Sequence, residues 1–373
     1  MYQLTKPTIS GRNTIHKARG IAVVAGQQVR FSAFHAEANG FSAADTFELT
    51  CPWFVQDTPS GETVLANGPG FESVLMTQDV IPIQLYAGYP ANPNAFDTGD
   101  LTQIMDGYMD TAEWDFDDTG EFVTITGRNR LAPLLDTVIS SKYPNLTSSS
   151  IAAMIAQEHG LTPVVTPTTT LAGTFYNQNS TVLGANAKEW DLLLFLAKME
   201  NFIVRVRGQQ LLFGPYSTVT GYVNQDPIPY TWGYDIETLK ITRAPQAAKD
   251  IVVKVYSYDR NGKYRIVETA RASSGGSPKQ EYVETYTIPG LSRAQAQAQA
   301  KAILAQLSSA QLIGQLTGAG NTDMAIDRQI ALYGVGQGLS STYYLTRVRH
   351  TLDITSDGYS IDVSFSNQFM TSS

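Results

Sequence analysis

IDRQIALYGVGQGLSSTYYLTRVRHTLDITSDGYSIDVSFSNQF, running from Ile326 to Phe369, is the stretch from which the fold can be read. Apolar residues alternate through Ile330, Leu332 and Tyr333, and again through Tyr344, Leu345 and Val348. Gly334, Gly336 and Gly338 interrupt the run, and Asp357-Gly358 is a hairpin signal ahead of Tyr359, Ile361, Val363 and Phe365. A period of two with glycine breaks predicts short antiparallel strands with one buried face. The block contains no group that reads as catalytic.

Upstream, the residues from Thr8 to about Gly127 also read as strands. They cover Gln28 to Phe34, Thr46 to Leu49, Val80 to Tyr86, Leu101 to Trp114 and Glu121 to Thr126, between Gly, Pro and Asn clusters. Phe54 to Gly70 and Gly88 to Gly99 read as long loops, which a barrel can extend without disturbing its core. After Gly127 the period changes to about 3.6. Leu131, Leu134, Leu135 and Val138 share one helical face. A second helix points Ile151, Met154 and Ile155 inward, with Ser148 as N-cap and Gly160 as its stop. A third opens on Asn186 and Glu189 at capping-box spacing and buries Trp190, Leu193, Leu194 and Ala197. The hairpin Phe202 to Val206 and Gln210 to Phe213 follows it.

Strands return at Tyr230. Ile251 to Tyr258 and Lys263 to Glu268 flank Asn261-Gly262, a strong hairpin signal. Beyond Pro289-Gly290, Ser292 caps a long helix. Its apolar stripe is Ala296, Ala300, Ile303, Leu304 and Leu307, with Gln295, Gln299 and Gln306 largely off it.

Composition excludes several functions. The 373 residues suffice for two or three domains of ordinary size. Net charge is −8 with no basic block, which disfavours holding nucleic acid by phosphate neutralisation. The single cysteine, Cys51, cannot pair within the chain; it reads as a small buried apolar residue, with a reactive thiol as the rival. No apolar run is long enough to span a bilayer, and MYQLTKPTIS lacks the features of a signal peptide, so assembly in a cytoplasm is expected.

The candidate chemistry is sparse. The acidic run Glu113 to Glu121 places Thr119 and Thr126 where a calcium loop counted from Asp115 needs ligands. Strand alternation sets Glu113, Asp115 and Asp117 side by side, whereas a glycosidase needs two carboxylates facing across a cleft. A solvated hairpin is the better reading. His16, His35, His159 and His350 are scattered without ligand spacing. His350 reads as a polar contact at a barrel end, or as an interface contact. No catalytic, cofactor-binding or metal-ligating residue is expected.

Four pieces in order also carry a family resemblance: Gly127-Arg128-Asn129-Arg130-Leu131 entering a helix, SIAAMIAQEHGL (Ser150 to Leu161), EWDLLLFLAKMENFIVRVRGQQLLF (Glu189 to Phe213) and the C-terminal block. This order resembles the baseplate hub proteins of contractile phage tails, the family of the late control protein D type and of the hub part of type VI secretion spikes. The resemblance implies a β-rich α+β chain divided as follows: a first tube-like barrel at 1–128, an α/β domain at 129–227, a second, discontinuous barrel at 228–275 and 311–373, and a helical insert at 276–310. It implies a homotrimeric ring with a pseudo-sixfold face that adapts a sixfold tail tube to a threefold spike. The implied partners are the tail tube, a separate central spike, baseplate wedge proteins and a tape measure protein. DNA is then only passing cargo, the acids of the hairpin face a lumen, stable membrane association is absent, and the location is the virion tail baseplate. Two rivals from other classes are a tail-associated cell-wall glycan hydrolase, and a glycan-binding module with Tyr86, Tyr89 and Phe96 as stacking platforms.

Overall fold

The computed structural model describes residues 17–40, 43–56, 62–118, 120–139, 143, 146–169, 187–219, 225–243, 251–258, 265–271, 282–288, 291, 293–308, 312–354 and 358–367. Its first stretch contains β1 (Arg19–Val24), β2 (Gln27–Val29), β3 (Ala33–Ala38), β4 (Thr46–Pro52), β5 (Phe54–Gln56), β6 (Thr63–Leu65), α1 (Gly68–Thr77), β7 (Pro82–Gly88), β8 (Thr102–Asp117) and β9 (Gly120–Asn129). Alternation makes them strands with one buried face: β4 buries Phe47, Leu49 and Cys51 and exposes Thr46 and Glu48. The strand expected over Gln28 to Phe34 is broken between Val29 and Ala33. The β1–β2 hairpin turns on Ala25 and Gly26, both at positive φ (48° and 79°), a hairpin geometry without its usual Asn-Gly signature. Within the expected loop 54–70, β5 pairs with β6, and α1 starts with Pro69 in its first turn and buries Phe71 and Leu75.

A second unit follows: α2 (Ala132–Asp136), α3 (Ser148–Glu158), β10 (Thr162–Val165), α4 (Glu189–Glu200), β11 (Ile203–Arg207), β12 (Gln210–Gly214) and α5 (Tyr216–Val219). Its sheet runs β10-β12-β11 beneath a core of Leu134, Ile151, Ile155, Trp190, Leu193 and Phe213. The expected helices exist with adjusted ends. Thr147 caps α3 by accepting from the Ser150 amide, while Ser148 is buried and donates to Glu200 Oε1 at 2.9 Å. Met154 is 41% exposed, because the inward stripe is Ile151, Ala152, Ile155 and Ala156. Val138 lies beyond the end of α2 and bridges to Lys188. Asn186 lies outside the described residues. At the start of α4, Asp191 accepts from the Lys188 amide at 3.2 Å, a role the sequence had suggested for Glu189.

The third stretch holds β13 (Ile228–Thr231), β14 (Thr238–Arg243), β15 (Ile251–Tyr258), β16 (Arg265–Arg271), β17 (Tyr282–Thr287), α6 (Arg293–Ser308), β18 (Leu312–Ala319), β19 (Gln329–Tyr333), β20 (Thr342–Asp353) and β21 (Gly358–Ser366). β15 and β16, expected as barrel strands, form a separate sheet in the order β16-β15-β17. Ala296, Ala300 and Ile303 of α6 pack on Val253, Val255 and Ala270 there, so those two strands share a core with the helix of the insert. Asn261-Gly262 lies outside the described residues, but the strands it was read to join do pair, from Val252 opposite Arg271 to Tyr258 opposite Arg265. Gln299, expected largely off the buried stripe, is buried.

The remaining strands form one 13-stranded sheet in the order β14-β18-β21-β20-β3-β4-β9-β8-β7-β1-β2, with β19 on β20 and β13 parallel to β19. The two β-rich stretches expected as separate barrels are thus hydrogen-bonded into one sheet through β3 and β20, Ala38 opposite Val348 and Ala33 opposite Asp353. One core lies under the N-terminal strands, around Phe34, Leu49, Ile83 and Ile125. The other lies under the C-terminal strands, around Leu316, Leu332, Tyr343 and Phe365. Tyr343, one residue from the expected Tyr344, is the core residue of β20, and a bulge between Leu345 and Arg347 restores the alternation.

Gly127 is pinned by close approach. A Cβ there would collide with the Tyr108 carbonyl and with the Phe47 ring at 2.6 Å. Gly127→Ala is expected to cost about 2 kcal/mol or more in urea unfolding, as overpacking does. Gly160→Ala, at φ +67° with no atom near its Cβ, is expected to cost about 1 kcal/mol.

Candidate functional site: the polar face of the large sheet

Because one face of the sheet covers the two cores, alternation drives most polar strand residues to the other. The register aligns them in rows. One row reads Arg128, Thr46, Glu37, Arg349, Asp362, Thr317, Thr238 across β9, β4, β3, β20, β21, β18 and β14. The next reads Thr111, Thr126, Glu48, His35, Thr351, Ser360. Hydroxyl pairs tie neighbouring strands: Thr111 with Thr126 at 2.7 Å and Thr238 with Thr317 at 2.7 Å. Hydroxyls and charges of both signs fill the face, and the carboxylates are in excess.

Two of its cations are clamped. Arg347 donates to Glu37 Oε2 at 2.9 Å and to Asp362 Oδ1 at 2.8 Å. Arg128 makes a bidentate pair with Asp110 at 2.7 and 2.8 Å and reaches Asp136 at 2.9 Å. Hydrogen bonds to Asp110 and Asp136 hold its pKa above the usual arginine range. A guanidinium whose fork is spent on two carboxylates has little left for a phosphate. His35 lies in the same face with Nδ1 3.0 Å from Thr351 Oγ1; burial and the charge of Arg349 lower its pKa.

Glu113, Asp115 and Asp117 lie exposed along the outer half of β8, all on this polar face, as alternation predicted. Trp114 points the other way, its ring edge-on to Trp53 at 5.7 Å. Among the described residues no group of three His, Cys, Asp or Glu could hold a metal ion, and no helix is long and apolar enough to cross a membrane. Cys51 is fully buried, and burial pushes its thiol up to about 12. The aromatics weighed as a stacking platform do not stand free: Tyr89 donates to the Gly320 carbonyl at 3.0 Å and packs on Tyr359, and the Tyr86 hydroxyl accepts from Gln103 at 3.3 Å. Gly334 and Gly336 adopt positive φ (77° and 89°), which is turn chemistry, as the sequence suggested.

The histidines behave differently in three dimensions. His16 lies outside the described residues. His159 Nε2 meets Glu189 Oε2 at 2.5 Å across thirty positions of chain, a pairing that spacing could not show. His350 makes its polar contacts within the chain: it is buried, stacks on Tyr359, and bonds at both ring nitrogens. Tyr359 donates to Nδ1 at 2.8 Å, and Nε2–H donates to the Met324 carbonyl at 3.0 Å, which fixes one neutral tautomer. Burial lowers the ring's pKa to about 4 and raises that of the Tyr359 phenol.

The α/β unit is held to the sheet by charges the sequence reading passed over. Arg205 of β11 reaches Asp45 at 3.4 Å, and Arg207 reaches Asp327 at 2.5 Å. Asp45 also accepts from the Asn39 amide and from Asn129 Nδ2, and burial raises its pKa. The one signal in sequence was the pair of arginines alternating within an otherwise apolar strand, IVRVR.

No protein-family model and no curated protein sequence matches this chain. Solved structures do match. A tail protein from Neisseria meningitidis MC58 aligns over 94% of this chain and 97% of its own, at 13% identity and TM-score 0.66. The 43 kDa tail protein of prophage MuSo2 from Shewanella oneidensis aligns over 94% and 96%, at 12% identity and TM-score 0.61. An Escherichia coli component of the type VI secretion system, described as structurally similar to the T4 tail proteins gp27 and gp5, aligns over 94% and 77%, at 11% identity and TM-score 0.53. The chain has a phage-tail protein fold. At such identities the likeness is one of fold, and it spans the sheet, the α/β unit and the insert together. The resemblance read from the C-terminal block holds at that level.

The His350 contacts give this tail fold a pH signature. Because the folded ring stays neutral to about pH 4 while an unfolded one protonates below 6.5, stability is complete above pH 6.5 and is lost as pH falls toward 4. The gap corresponds to about 3 kcal/mol. Urea unfolding at about pH 7 and about pH 4.5 should show a loss in the native chain that is about 2 kcal/mol larger than in His350→Gln, whose side chain does not titrate.

Proposed function

We propose that this chain is a structural hub of a phage-type tail: a homotrimeric ring whose two barrel-like lobes per chain give a pseudo-sixfold face. The ring adapts a sixfold tail tube to a threefold central spike and forms part of the DNA channel. The observation that carries the reading is the match of fold over nearly the whole chain to tail proteins, together with two separate cores under one sheet, as a chain with two tube-like lobes requires. A homotrimer, a tube protein, a spike and wedge proteins are the partners of such a hub, and the virion tail is its place.

The polar face fits a channel wall. A polyanion moves past a surface without sticking when that surface offers no free cationic cluster, since phosphates are held through counterion release by lysines and arginines. Here Arg128 and Arg347 are each held by two carboxylates, and the remaining acids repel. Among the described residues, the carboxylates Glu113, Asp115 and Asp117 lie in a row on one strand face, which is not the facing arrangement that a glycoside hydrolase needs.

Light scattering on the purified protein, alone and with its spike partner, is expected to give three times the chain mass. A monomer under both conditions at micromolar concentration would remove the hub reading. Filter binding of duplex DNA to the assembled protein at about 50 mM salt is expected to show no saturable affinity tighter than roughly 10 micromolar. Tight, salt-sensitive binding would show instead that the protein holds nucleic acid.

A further inference from the structure

The first lobe has a seam in which cations stand without carboxylates. β7 covers one edge of β1 from Arg19 to Val24, while β2 covers the other only from Ala22 to Val24. Among the described residues, no strand lies beside Arg19, Gly20 and Ile21 on the β2 side. Arg30, the residue after β2, spends its backbone elsewhere: its amide donates to Asn67 Oδ1 at 2.5 Å, and its carbonyl accepts from Asn67 Nδ2 at 3.0 Å. A groove of about 810 Å³ remains between the start of β1 and the place where β20 ends and β21 begins. Built ligand sites span roughly 300–1,000 Å³.

The floor of the groove is apolar, with Val29, Phe31 and Leu352 buried and Ile354 62% exposed beside them. Lys17, Arg19 and Arg30 line it, against one carboxylate among the described residues, Asp353. Arg19 Nε donates to the Pro93 carbonyl at 2.8 Å and Nη1 to the Ala18 carbonyl at 3.1 Å. Its guanidinium is thus positioned by neutral oxygens and keeps its charge and its Nη2 donors. Lys17 and Arg30 are exposed and, among the described residues, have no carboxylate partner. This is the reverse of Arg128 and Arg347, which are each held by two carboxylates.

An open strand edge, an apolar floor and unneutralised cations together suit an extended acidic peptide. We propose that the groove takes a strand from a partner protein, its backbone pairing with β1 at Arg19 to Ile21. Alternate Asp or Glu side chains of that strand meet Lys17, Arg19 and Arg30, and the intervening apolar ones lie on Phe31, Leu352 and Ile354. The occupant comes from another protein, because the two longest segments outside the described residues, 1–16 and 170–186, contain no Asp or Glu. A nucleic acid, held through phosphate contacts spread along its backbone, would leave the apolar floor unused. The proposal goes beyond the ring reading and does not depend on it.

The probe is a fluorescein-labelled peptide of about eight residues that alternates Glu with Val, a strand-length segment with its acids on one side. Anisotropy on the full chain should show saturable binding with Kd about 100 micromolar or tighter, and the counterpart alternating Lys with Val should bind at least about tenfold more weakly. Lys17→Glu with Arg30→Glu should weaken the Glu peptide about tenfold or more at an unchanged thermal melt, while Lys301→Glu on α6 should leave it within about twofold. N-methylation of alternate peptide amides should weaken binding strongly for one set and little for the other, since only one edge of the strand faces β1. The idea fails if the Glu peptide does not saturate by about 1 mM, if the double variant binds it as the native chain does, or if neither methylated set is weakened. A single-stranded oligonucleotide of equal charge that binds more tightly than the peptide would make the groove a phosphate site. A change in the mass of the peptide-free double variant in solution would make it a contact between copies, and either result overturns the proposal.

Discussion

The pairing of β3 with β20 is the constraint on which the rest of the structure depends. Six residues near the start of the chain, Ala33 to Ala38, lie antiparallel to Val348–Asp353 near its end. Without that ladder, the N-terminal strands β1 to β9 and the C-terminal strands β14 and β18 to β21 would be two sheets with four exposed edges. With it they are one sheet, and the backbone groups of β3 and β20 are satisfied on both sides. The ladder also carries side chains across the join. Phe34 and Leu352 face each other on the core side, and His35 meets Thr351 on the polar side. Because its ends are more than 300 residues apart, this contact has a high loop-closure cost and depends on the cores it joins.

Placing both cores on one side of a continuous sheet has an electrostatic consequence on the other. Residues that alternation alone would scatter over two small surfaces become one field of hydroxyls, carboxylates and clamped arginines. Arg347 is instructive: its two carboxylates come from β3 and β21, on either side of β20, so the clamp exists only because the two halves are joined. Each of these half-exposed ion pairs adds little to stability on its own. What they do is set the character of the surface, spending arginine donors within the sheet instead of leaving them for a polyanion.

Elsewhere, buried polar groups fix how the units sit. Arg205 and Arg207 bind the α/β unit to the loop before β4 and to the turn before β19. Breaking either pair would leave a carboxylate, Asp45 or Asp327, buried without its cation, which is costly in the way that a surface pair is not. His350 locks the turn at Met324 against β20 and β21 by using both ring nitrogens, and so requires the ring to be neutral.

The sequence by itself determined which segments are strands and which are helices, through the change of period from two to 3.6 and back, and which side chains of each face inward. Phe47, Leu49, Ile125, Ile361 and Phe365 are buried as their alternation predicts, and Ala296 and Ala300 as theirs does. It also identified the acidic hairpin as solvated, because alternation lays three carboxylates side by side on one strand face, where a glycosidase needs two facing each other across a cleft. Short-range signals failed where a tertiary partner won: Met154 turned outward, Tyr343 displaced Tyr344 through a bulge, and Asp191 satisfied the Lys188 amide while Glu189 went to His159. Only the tertiary structure decided that β15 and β16 leave the large sheet for α6, that His350 is buried, and that β3 joins β20. Period and turn chemistry act over a few residues of chain, whereas which strand edges meet depends on the burial and hydrogen bonding of segments hundreds of residues apart.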